Sequence, residues 1–204
     1  MPQTIVFDLF GVIARTQSEA AQRRLEELAG VAGPAFWTAY WAGRPVYDAG
    51  QRSADYWAGV ADRLGVRFDA ATVDALIEVD LASWTEADER MVELVAELAG
   101  QGRSLGLLSN IIEDLVPVFE GRHGRWLSLF AARTYSCQIG VVKPDPRAYQ
   151  ICAEQLGVRP EDVLFFDDSE PNVVGARASG MTAEVFVSPD QVRERLGLAG
   201  DPRT

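Results

Sequence analysis

The sequence predicts an α/β fold: a doubly wound parallel sheet with a helical cap inserted after its first strand. Short apolar runs typical of strands alternate with helical patterns along the second half of the chain. Such alternation is typical of a parallel sheet that is covered by helices on both faces. The first two apolar runs, in contrast, are separated by a stretch far longer than a single crossover helix needs.

The first strand is predicted at residues 4–7, which are apolar after Thr4 and are therefore typical of a strand buried on both faces. The run Leu-Gly-Leu-Leu at 105–108 predicts the next strand. Three further β-prone runs predict strands at 134–137, 163–166 and 184–187. Helices are predicted between the last of these strands, at 146–156 and at 172–179.

Between the first two strands the pattern predicts five helices. The fifth begins at Thr85, carries apolar residues at i, i+3, i+4 and i+7 and is best placed to return the chain to the sheet. The other four are surplus to a βαβ unit, and we expect them to form a cap domain at residues 15–84. The core domain would then comprise residues 1–14 and 85–204. The predicted helix starts in the cap are Ser18, Pro34, Ser53 and Asp69.

Composition excludes several classes of function. The 204 residues suffice for one core domain with an insertion, and 48% of them are hydrophobic, enough for a buried core. The net charge of -11 argues against a nucleic-acid partner and against binding to an anionic membrane surface. No apolar run approaches the length of a membrane span, and no basic, apolar leader is visible. We therefore expect a cytoplasmic protein, and the sequence predicts no oligomeric state.

Polar side chains follow the predicted strands where each strand ends. Because the carboxyl ends of parallel strands meet at one edge of a sheet, we expect these side chains to converge there. A lysine lies in a loop rich in glycine and proline just before a helix, which suits a fixed position. The residues concerned are Asp8, Ser109, Asp167, Asp168 and Lys143.

These residue types are suited to phosphoryl transfer. An aspartate can attack phosphorus and form an aspartyl-phosphate. Asp8, Asp167 and Asp168 would repel one another unless a cation lay between them, and carboxylate oxygens suit Mg²⁺. Lys143 can contribute a positive charge to a phosphoryl oxygen, and the Ser109 hydroxyl can donate to another.

Four segments resemble, in order and spacing, the four motifs of the haloacid dehalogenase-like (HAD) hydrolase superfamily, with a small helical cap of the C1 type. The similarity spans nearly the whole chain and implies a HAD-like Rossmannoid core. The segments are FDLFGV, LLSN, GVVKPDPRAY and FFDDSEPNVVGA.

The resemblance also implies roles for individual residues. Asp8 would be the nucleophile, and Ser109 and Lys143 would hold the phosphoryl group. Asn110, which follows the motif serine, would contact the substrate. Mg²⁺ would be bound by Asp8, Asp167, Asp168 and the backbone carbonyl of Phe10.

Three residues of a predicted turn in the cap are further candidates. Arg44 could bind an anionic substrate together with Tyr47, and either Tyr47 or Asp48 could act as an acid. Ion pairing within the cap is the alternative interpretation of the same residues. His123, the single histidine, is predicted to lie in a solvated loop.

Phe10 departs from the pattern of the phosphatase members of this superfamily. Two residues after the nucleophile they usually carry a second aspartate, which protonates the leaving oxygen and then deprotonates the attacking water. General acid–base catalysis contributes roughly 10²–10⁴-fold to rates. A phenylalanine at this position therefore predicts slow turnover.

Three functions follow as hypotheses. The first is a Mg²⁺-dependent phosphatase that acts on a small phosphorylated metabolite. The second is a metal-free 2-haloacid dehalogenase, because dehalogenases carry an aromatic residue where Phe10 stands; Asp167 and Asp168 disfavour it. The third is a non-catalytic member that binds a phosphorylated ligand or a protein.

Overall fold

The computed structural model describes residues 4–31 and 33–198. A five-stranded, wholly parallel sheet has the strand order β3-β2-β1-β4-β5. Its strands are β1 Thr4–Phe7, β2 Leu105–Ser109, β3 Ala132–Tyr135, β4 Val163–Asp167 and β5 Thr182–Val185. Phe7 lies opposite Leu107 in β2 and Phe166 in β4, so the carboxyl ends of the three central strands are level.

Helices cover both faces of the sheet, as the doubly wound fold predicts. Five precede β2: α1 Glu19–Ala29, α2 Pro34–Tyr47, α3 Ser53–Leu64, α4 Ala70–Ser83 and α5 Glu89–Gly100. The later ones are α6 Leu115–Leu127, α7 Ser136–Ile139, α8 Pro146–Leu156, α9 Glu170–Ala178 and α10 Pro189–Arg195. No helix of the described residues has both the length and the apolar character needed to cross a bilayer.

The central strand β1 contributes to two apolar layers, because its side chains alternate between the faces of the sheet. Ile5 and Phe7 belong to a large layer that includes residues of α5, α6 and the helices before β2. Val6 lies on the other face, in a smaller layer with residues of α8 and α9. All three side chains are fully buried, so the first strand is fixed from both sides.

Helices α1–α4 form a four-helix insertion between β1 and β2. Its interior is aromatic, and its buried side chains are continuous with the large layer of the sheet. The two segments that join it to the sheet lie side by side, since the Arg15 N–H donates to the Glu86 carbonyl (2.8 Å) and the Asp88 N–H to that of Ile13 (2.8 Å). The fully buried aromatic side chains of the insertion are Phe36, Tyr40, Tyr47, Tyr56 and Trp57.

Three of the four predicted helix starts in this insertion are right and one is wrong. Pro34 is the first residue of α2. Ser18 and Asp69 cap α1 and α4 through hydrogen bonds from the N–H groups of Ala21 (3.2 Å) and Thr72 (2.8 Å). Ser53, by contrast, is the first residue inside α3, and Arg52 occupies the N-cap position. The Ser53 hydroxyl is instead hydrogen-bonded to Tyr47 and to Asp114.

The fifth helix begins later than the predicted Thr85. Asp88 is its N-cap, and one oxygen of that carboxylate accepts from the N–H groups of Arg90 (2.9 Å) and Met91 (3.4 Å). Thr85 belongs to the turn after α4, where its hydroxyl donates to the Ala82 carbonyl (2.9 Å).

Strands β3 and β5 begin and end two residues before their predicted positions. In β3 the reason is local, because Ser136 and Cys137 belong to the short helix α7. His123 lies within α6 and is half buried, so the predicted solvated loop is wrong. Helix α9 starts at Glu170 rather than at Asn172, with Pro171 in its first turn.

Candidate active site

The carboxyl edge of the sheet brings together the polar residues that the sequence placed at strand ends. Asp8 directly follows β1, Ser109 ends β2 and Asp167 ends β4. The loop before α8 contributes Lys143, whose Nζ lies 2.7 Å from Asp8 Oδ1 and 2.6 Å from Asp167 Oδ2. The expected convergence of these side chains is therefore present.

Lys143 is the only lysine of the chain, and hydrogen bonds with Asn110 fix its backbone. The Lys143 N–H donates to Asn110 Oδ1 (2.8 Å), while Asn110 Nδ2 donates to the Lys143 carbonyl (3.1 Å). Asn110 thus holds the lysine backbone from the end of β2. Its predicted contact with a substrate stays a prediction.

Asp167 is fully buried and its carboxylate is surrounded by donors. Its Oδ1 accepts from the Ser169 N–H (2.9 Å) and from Asn172 Nδ2 (3.0 Å), and its Oδ2 accepts from Lys143. Such hydrogen bonds orient an ionised carboxylate. Asn172, which the sequence argument missed, comes from the first turns of α9.

Negative charge exceeds positive charge in this cluster. Burial raises the pKa of Asp8 well above its usual value; Lys143 opposes the rise, and Asp167 and Asp168 add to it. Burial also raises the pKa of Asp168, with Asp167 contributing. For Lys143, burial favours the neutral amine, but the charges of Asp8 and Asp167 outweigh it and raise the pKa.

A hard divalent cation fits this arrangement. One carboxylate oxygen from each of Asp8, Asp167 and Asp168 lies within 4.8 Å of the others. All the donors are oxygen atoms, the type that Mg²⁺ prefers. A cation there would relieve the repulsion that raises the pKa of Asp8. The carbonyl of Phe10 as a further ligand stays a prediction.

Gly11 leaves room for the carboxylate of Asp168, the exposed member of the three clustered aspartates. Its φ is +83°, in the left-handed region, and a Cβ built on it would lie 2.2 Å from Asp168 Oδ2. We expect Gly11→Ala to lower the free energy of unfolding by about 1–3 kcal/mol, because the backbone is strained and Asp168 must move. We also expect weaker cation binding, which titration calorimetry with Mg²⁺ would measure.

Gly102→Ala is the matched control for this prediction. Gly102 also has a positive φ, +75°, but nothing lies within 4 Å of its Cβ position. Gly102→Ala should therefore lower the free energy of unfolding through backbone strain but leave the affinity for Mg²⁺ unchanged. Equal affinity in the two variants would contradict the role given to Gly11.

Phe10 places an aromatic ring two residues after Asp8. Its ring is half buried and packs edge-on against Trp84 (5.1 Å between centroids) and Phe119 (6.0 Å). Trp84 directly follows α4 of the insertion, and Phe119 belongs to α6. The residue two after Asp8 therefore joins the insertion to the core through apolar contacts.

Arg44 and Tyr47, the predicted substrate contacts, are buried and paired inside the insertion. Arg44 Nη2 lies 3.0 Å from Asp48 Oδ1, and Nη1 lies 3.6 Å from Asp80 Oδ2. The Tyr47 hydroxyl donates to Ser53 Oγ (2.7 Å). The structure thus has the internal ion pairing that the sequence left as the alternative, and binding of a substrate by these residues stays a prediction.

Sequence reasoning missed Asp80 and Ser136, which support this part of the molecule. Asp80 Oδ1 accepts from the Tyr40 hydroxyl (2.6 Å) and from Gln17 Nε2 (3.1 Å). The Ser136 hydroxyl donates to the Asp48 carbonyl (2.5 Å) and fixes the end of α2 at the carboxyl edge of the sheet. The sequence did contain one indication that Asp80 is buried, because this charged residue stands between the apolar residues Val79 and Leu81.

Comparisons with known proteins agree with this geometry. The model of the haloacid dehalogenase-like hydrolase family matches residues 2–180. The "Phosphatase MT3486" of Mycobacterium tuberculosis (strain CDC 1551 / Oshkosh) is 30% identical to the chain, and the match covers 93% of this chain and 89% of the relative.

Solved structures share the fold. The HAD family enzyme bt-2542 of Bacteroides thetaiotaomicron, in complex with magnesium and inorganic phosphate, has a TM-score of 0.64 at 16% identity, covering 91% of this chain and 94% of that one. The L-2-haloacid dehalogenase of Xanthobacter autotrophicus with covalently bound chloropropionic acid has a TM-score of 0.67 at 21% identity, covering 100% and 86%. The family match and the parallel sheet together show that the chain belongs to the haloacid dehalogenase-like hydrolases.

Proposed function

We propose that this hydrolase is a Mg²⁺-dependent phosphatase that transfers the phosphoryl group of a small phosphorylated metabolite to Asp8 and then to water. The observation that carries the proposal is the cluster of three carboxylates, Asp8, Asp167 and Asp168, of which Asp8 and Asp167 pair with the buried ammonium group of Lys143. The phosphatase named above supports the same reaction class. The insertion would act as the cap, with residues 15–84 as one domain and 1–14 and 85–204 as the other.

Each residue of the cluster has a distinct role in this proposal. Asp8, held by Lys143 and by the Leu9 N–H (2.7 Å to Oδ1), presents a carboxylate oxygen to phosphorus. Lys143 and the Ser109 hydroxyl orient and neutralise the phosphoryl oxygens. Asp8, Asp167, Asp168 and the Phe10 carbonyl would hold Mg²⁺, which when bound neutralises phosphoryl charge.

A 2-haloacid dehalogenase is the second candidate. Phe10 favours it, because a halide leaves without a proton and needs no acid at that position. The acidic cluster weighs against it. Burial and the neighbouring charges of Asp167 and Asp168 raise the pKa of Asp8 and so weaken it as an anionic nucleophile when no cation is present. A non-catalytic role as a binding protein is the remaining candidate.

One set of assays distinguishes these functions. Phosphate release from a panel of phosphate esters is measured with Mg²⁺ and with a chelator, for the wild type and for Asp8→Asn. The proposal expects release that requires both Mg²⁺ and Asp8. Halide release from a 2-haloacid in the presence of chelator would favour the dehalogenase, and inactivity in both assays by a folded protein would favour the binding role.

A further inference from the structure

Ser136 lies where the insertion meets the carboxyl ends of β2 and β3. Ser109 at the end of β2 is paired in register with Tyr135 at the end of β3, so the segments that follow these two residues leave the sheet side by side. Ser136 directly follows Tyr135 and begins α7. It is only 1% exposed, so its hydroxyl must find hydrogen-bond partners within the protein.

The Ser136 hydroxyl acts as donor and as acceptor, each time toward a different segment. It accepts from the Ile111 N–H at 2.9 Å, in the loop after β2, and it donates to the Asp48 carbonyl at 2.5 Å, at the end of α2. A donated and an accepted hydrogen bond on one hydroxyl polarise each other and so strengthen each other. One side chain thus joins the insertion to the loop that follows Ser109.

Two further contacts hold the insertion against this part of the core. They involve the insertion turn, residues 48–52 between α2 and α3, and the first residue of α3. A Cβ built on Gly50 would lie 3.1 Å from the carbonyl oxygen of Cys137, the residue after Ser136. The Ser53 hydroxyl is hydrogen-bonded to Asp114, in the segment between β2 and α6. The insertion therefore rests on the segments that follow both β2 and β3.

The loop after β2 is also connected to Lys143. Asn110 lies between Ser109 and Ile111, and its side chain holds the Lys143 backbone through two hydrogen bonds, of 2.8 Å and 3.1 Å. The Lys143 ammonium group in turn pairs with Asp8 at 2.7 Å. A displacement of Ile111 would therefore move Ser109 through the backbone and Lys143 through Asn110.

We propose that Ser136 is a positioning residue whose hydroxyl couples the position of the insertion to the orientation of Ser109 and Lys143. This inference rests on the proposed phosphatase function and adds to it a residue that acts through the loop after β2. When the insertion turn lies on the core, the Asp48 carbonyl orients the Ser136 hydroxyl so that it accepts from Ile111. When the turn moves away, that orientation is lost and the loop is released. Misplacement of positioning groups by about 1 Å can lower rates by about 10²-fold.

Amide hydrogen exchange, followed by NMR, tests the coupling independently of activity. Ser136→Ala is compared with Thr134→Val, since each variant removes one buried hydroxyl of the same region. Thr134 in β3 is fully buried, but its hydroxyl donates to Gln155 Oε1 of α8 at 2.6 Å. Exchange of the Lys143 amide is measured relative to that of Val6 in the central strand. It should be several-fold faster than in the wild type in Ser136→Ala and unchanged in Thr134→Val.

Steady-state kinetics with 4-nitrophenyl phosphate and Mg²⁺ distinguish positioning from a loss of folded protein. A variant that is partly unfolded has fewer active molecules, which lowers kcat and leaves KM unchanged. Displaced Ser109 and Lys143 would instead bind the phosphoryl group less well in every molecule. The KM of Ser136→Ala should therefore rise several-fold while kcat falls. Ser136→Thr keeps the hydroxyl and should bring KM back toward the wild-type value.

Gly50→Ala tests the coupling from the side of the insertion and does not depend on Ser136→Ala folding. The added methyl group would press on the Cys137 carbonyl and lift the insertion turn from the core. Gly65→Ala is the control, because Gly65 also has a positive φ (+69°, against +106° for Gly50) but nothing lies within 4 Å of its Cβ position. Gly50→Ala should raise KM and speed exchange of the Lys143 amide, and Gly65→Ala should change neither.

Two outcomes would overturn the inference and leave the phosphatase standing. The first is a Lys143 amide that exchanges no faster in Ser136→Ala than in Thr134→Val. The second is an unchanged KM in Ser136→Ala, in a reaction that requires Asp8. If the wild type released no phosphate above the level of Asp8→Asn, the proposed function itself would fail. Exchange of the Lys143 amide would then still decide whether Ser136 couples the insertion to this loop.

Discussion

Lys143→Met is expected to destabilise the protein by about 3–5 kcal/mol, the range observed when one partner of a buried ion pair is removed. Lys143 is only 3% exposed, and its Nζ lies between Asp8 and Asp167. Methionine fills similar volume but leaves two buried carboxylates facing each other without a counter-charge. Urea unfolding at neutral pH, in the presence of a chelator, measures the loss.

The loss in Lys143→Met should shrink as the pH falls. Burial already raises the pKa of Asp8, and Lys143 opposes that rise, so without Lys143 the pKa of Asp8 lies further above its value in the unfolded chain. The folded state then binds more protons than the unfolded state, so stability increases as pH decreases through this window. Adding Asp167→Asn should restore part of the stability.

Arg52→Met is the matched control for this variant. Arg52 pairs with Asp55 at 3.0 Å, a distance similar to those of Lys143, but 79% of its side chain is exposed. Ion pairs at the protein surface contribute little to folding stability. The free energy of unfolding of Arg52→Met should therefore be nearly the same as that of the wild type. A Lys143→Met protein as stable as Arg52→Met would show that the buried charge cluster does not require the ammonium group.

Asp8→Asn is expected to change activity and stability in opposite directions. Removal of a catalytic nucleophile can cost on the order of 10⁶-fold in kcat, and we expect phosphate release to fall to background. Stability in chelator should rise at neutral pH, because burial, with Asp167 and Asp168 adding, makes the ionised Asp8 unfavourable in the fold. The amide keeps the shape and removes the charge.

The stability difference between Asp8→Asn and the wild type should depend on pH in a defined direction. Because the pKa of Asp8 in the folded state lies above its unfolded value, the cost of ionised Asp8 is present at neutral pH and disappears as the pH falls and Asp8 becomes protonated. The advantage of Asp8→Asn should disappear in the same direction. If Asp8→Asn released phosphate as fast as the wild type, Asp8 would not be the nucleophile of the reaction.

The sequence was sufficient to predict the parallel sheet and the charged cluster, for a physical reason. Residues that follow apolar strands in a parallel sheet must meet at one edge, so Asp8, Ser109 and Asp167 were brought together by topology alone. Lys143 lay in a constrained loop and is the single lysine among 19 basic residues. These features are local or follow directly from strand order.

Features that depend on packing between distant segments were not predictable. The pairing of Arg44 with Asp80 depends on how α2 and α4 pack in the insertion. Serine is a common N-cap residue, but the hydroxyl of Ser53 is hydrogen-bonded to Tyr47 and to Asp114, which directly precedes α6. Gly121 and Gly124 indicated a loop around His123, whereas the burial of Phe119 and Trp126 on one side of α6 stabilises a helix there.

The most direct test of the central proposal is to trap the phosphoryl group on Asp8. The enzyme is mixed with Mg²⁺ and 4-nitrophenyl phosphate, quenched in acid within milliseconds, digested and analysed by mass spectrometry. Because Phe10 offers no base for the attacking water, we expect the phosphorylated form to accumulate, with the added phosphoryl mass on the peptide that contains Asp8. A burst of one nitrophenolate per protein molecule should accompany it. Unmodified Asp8 during sustained turnover would contradict the mechanism.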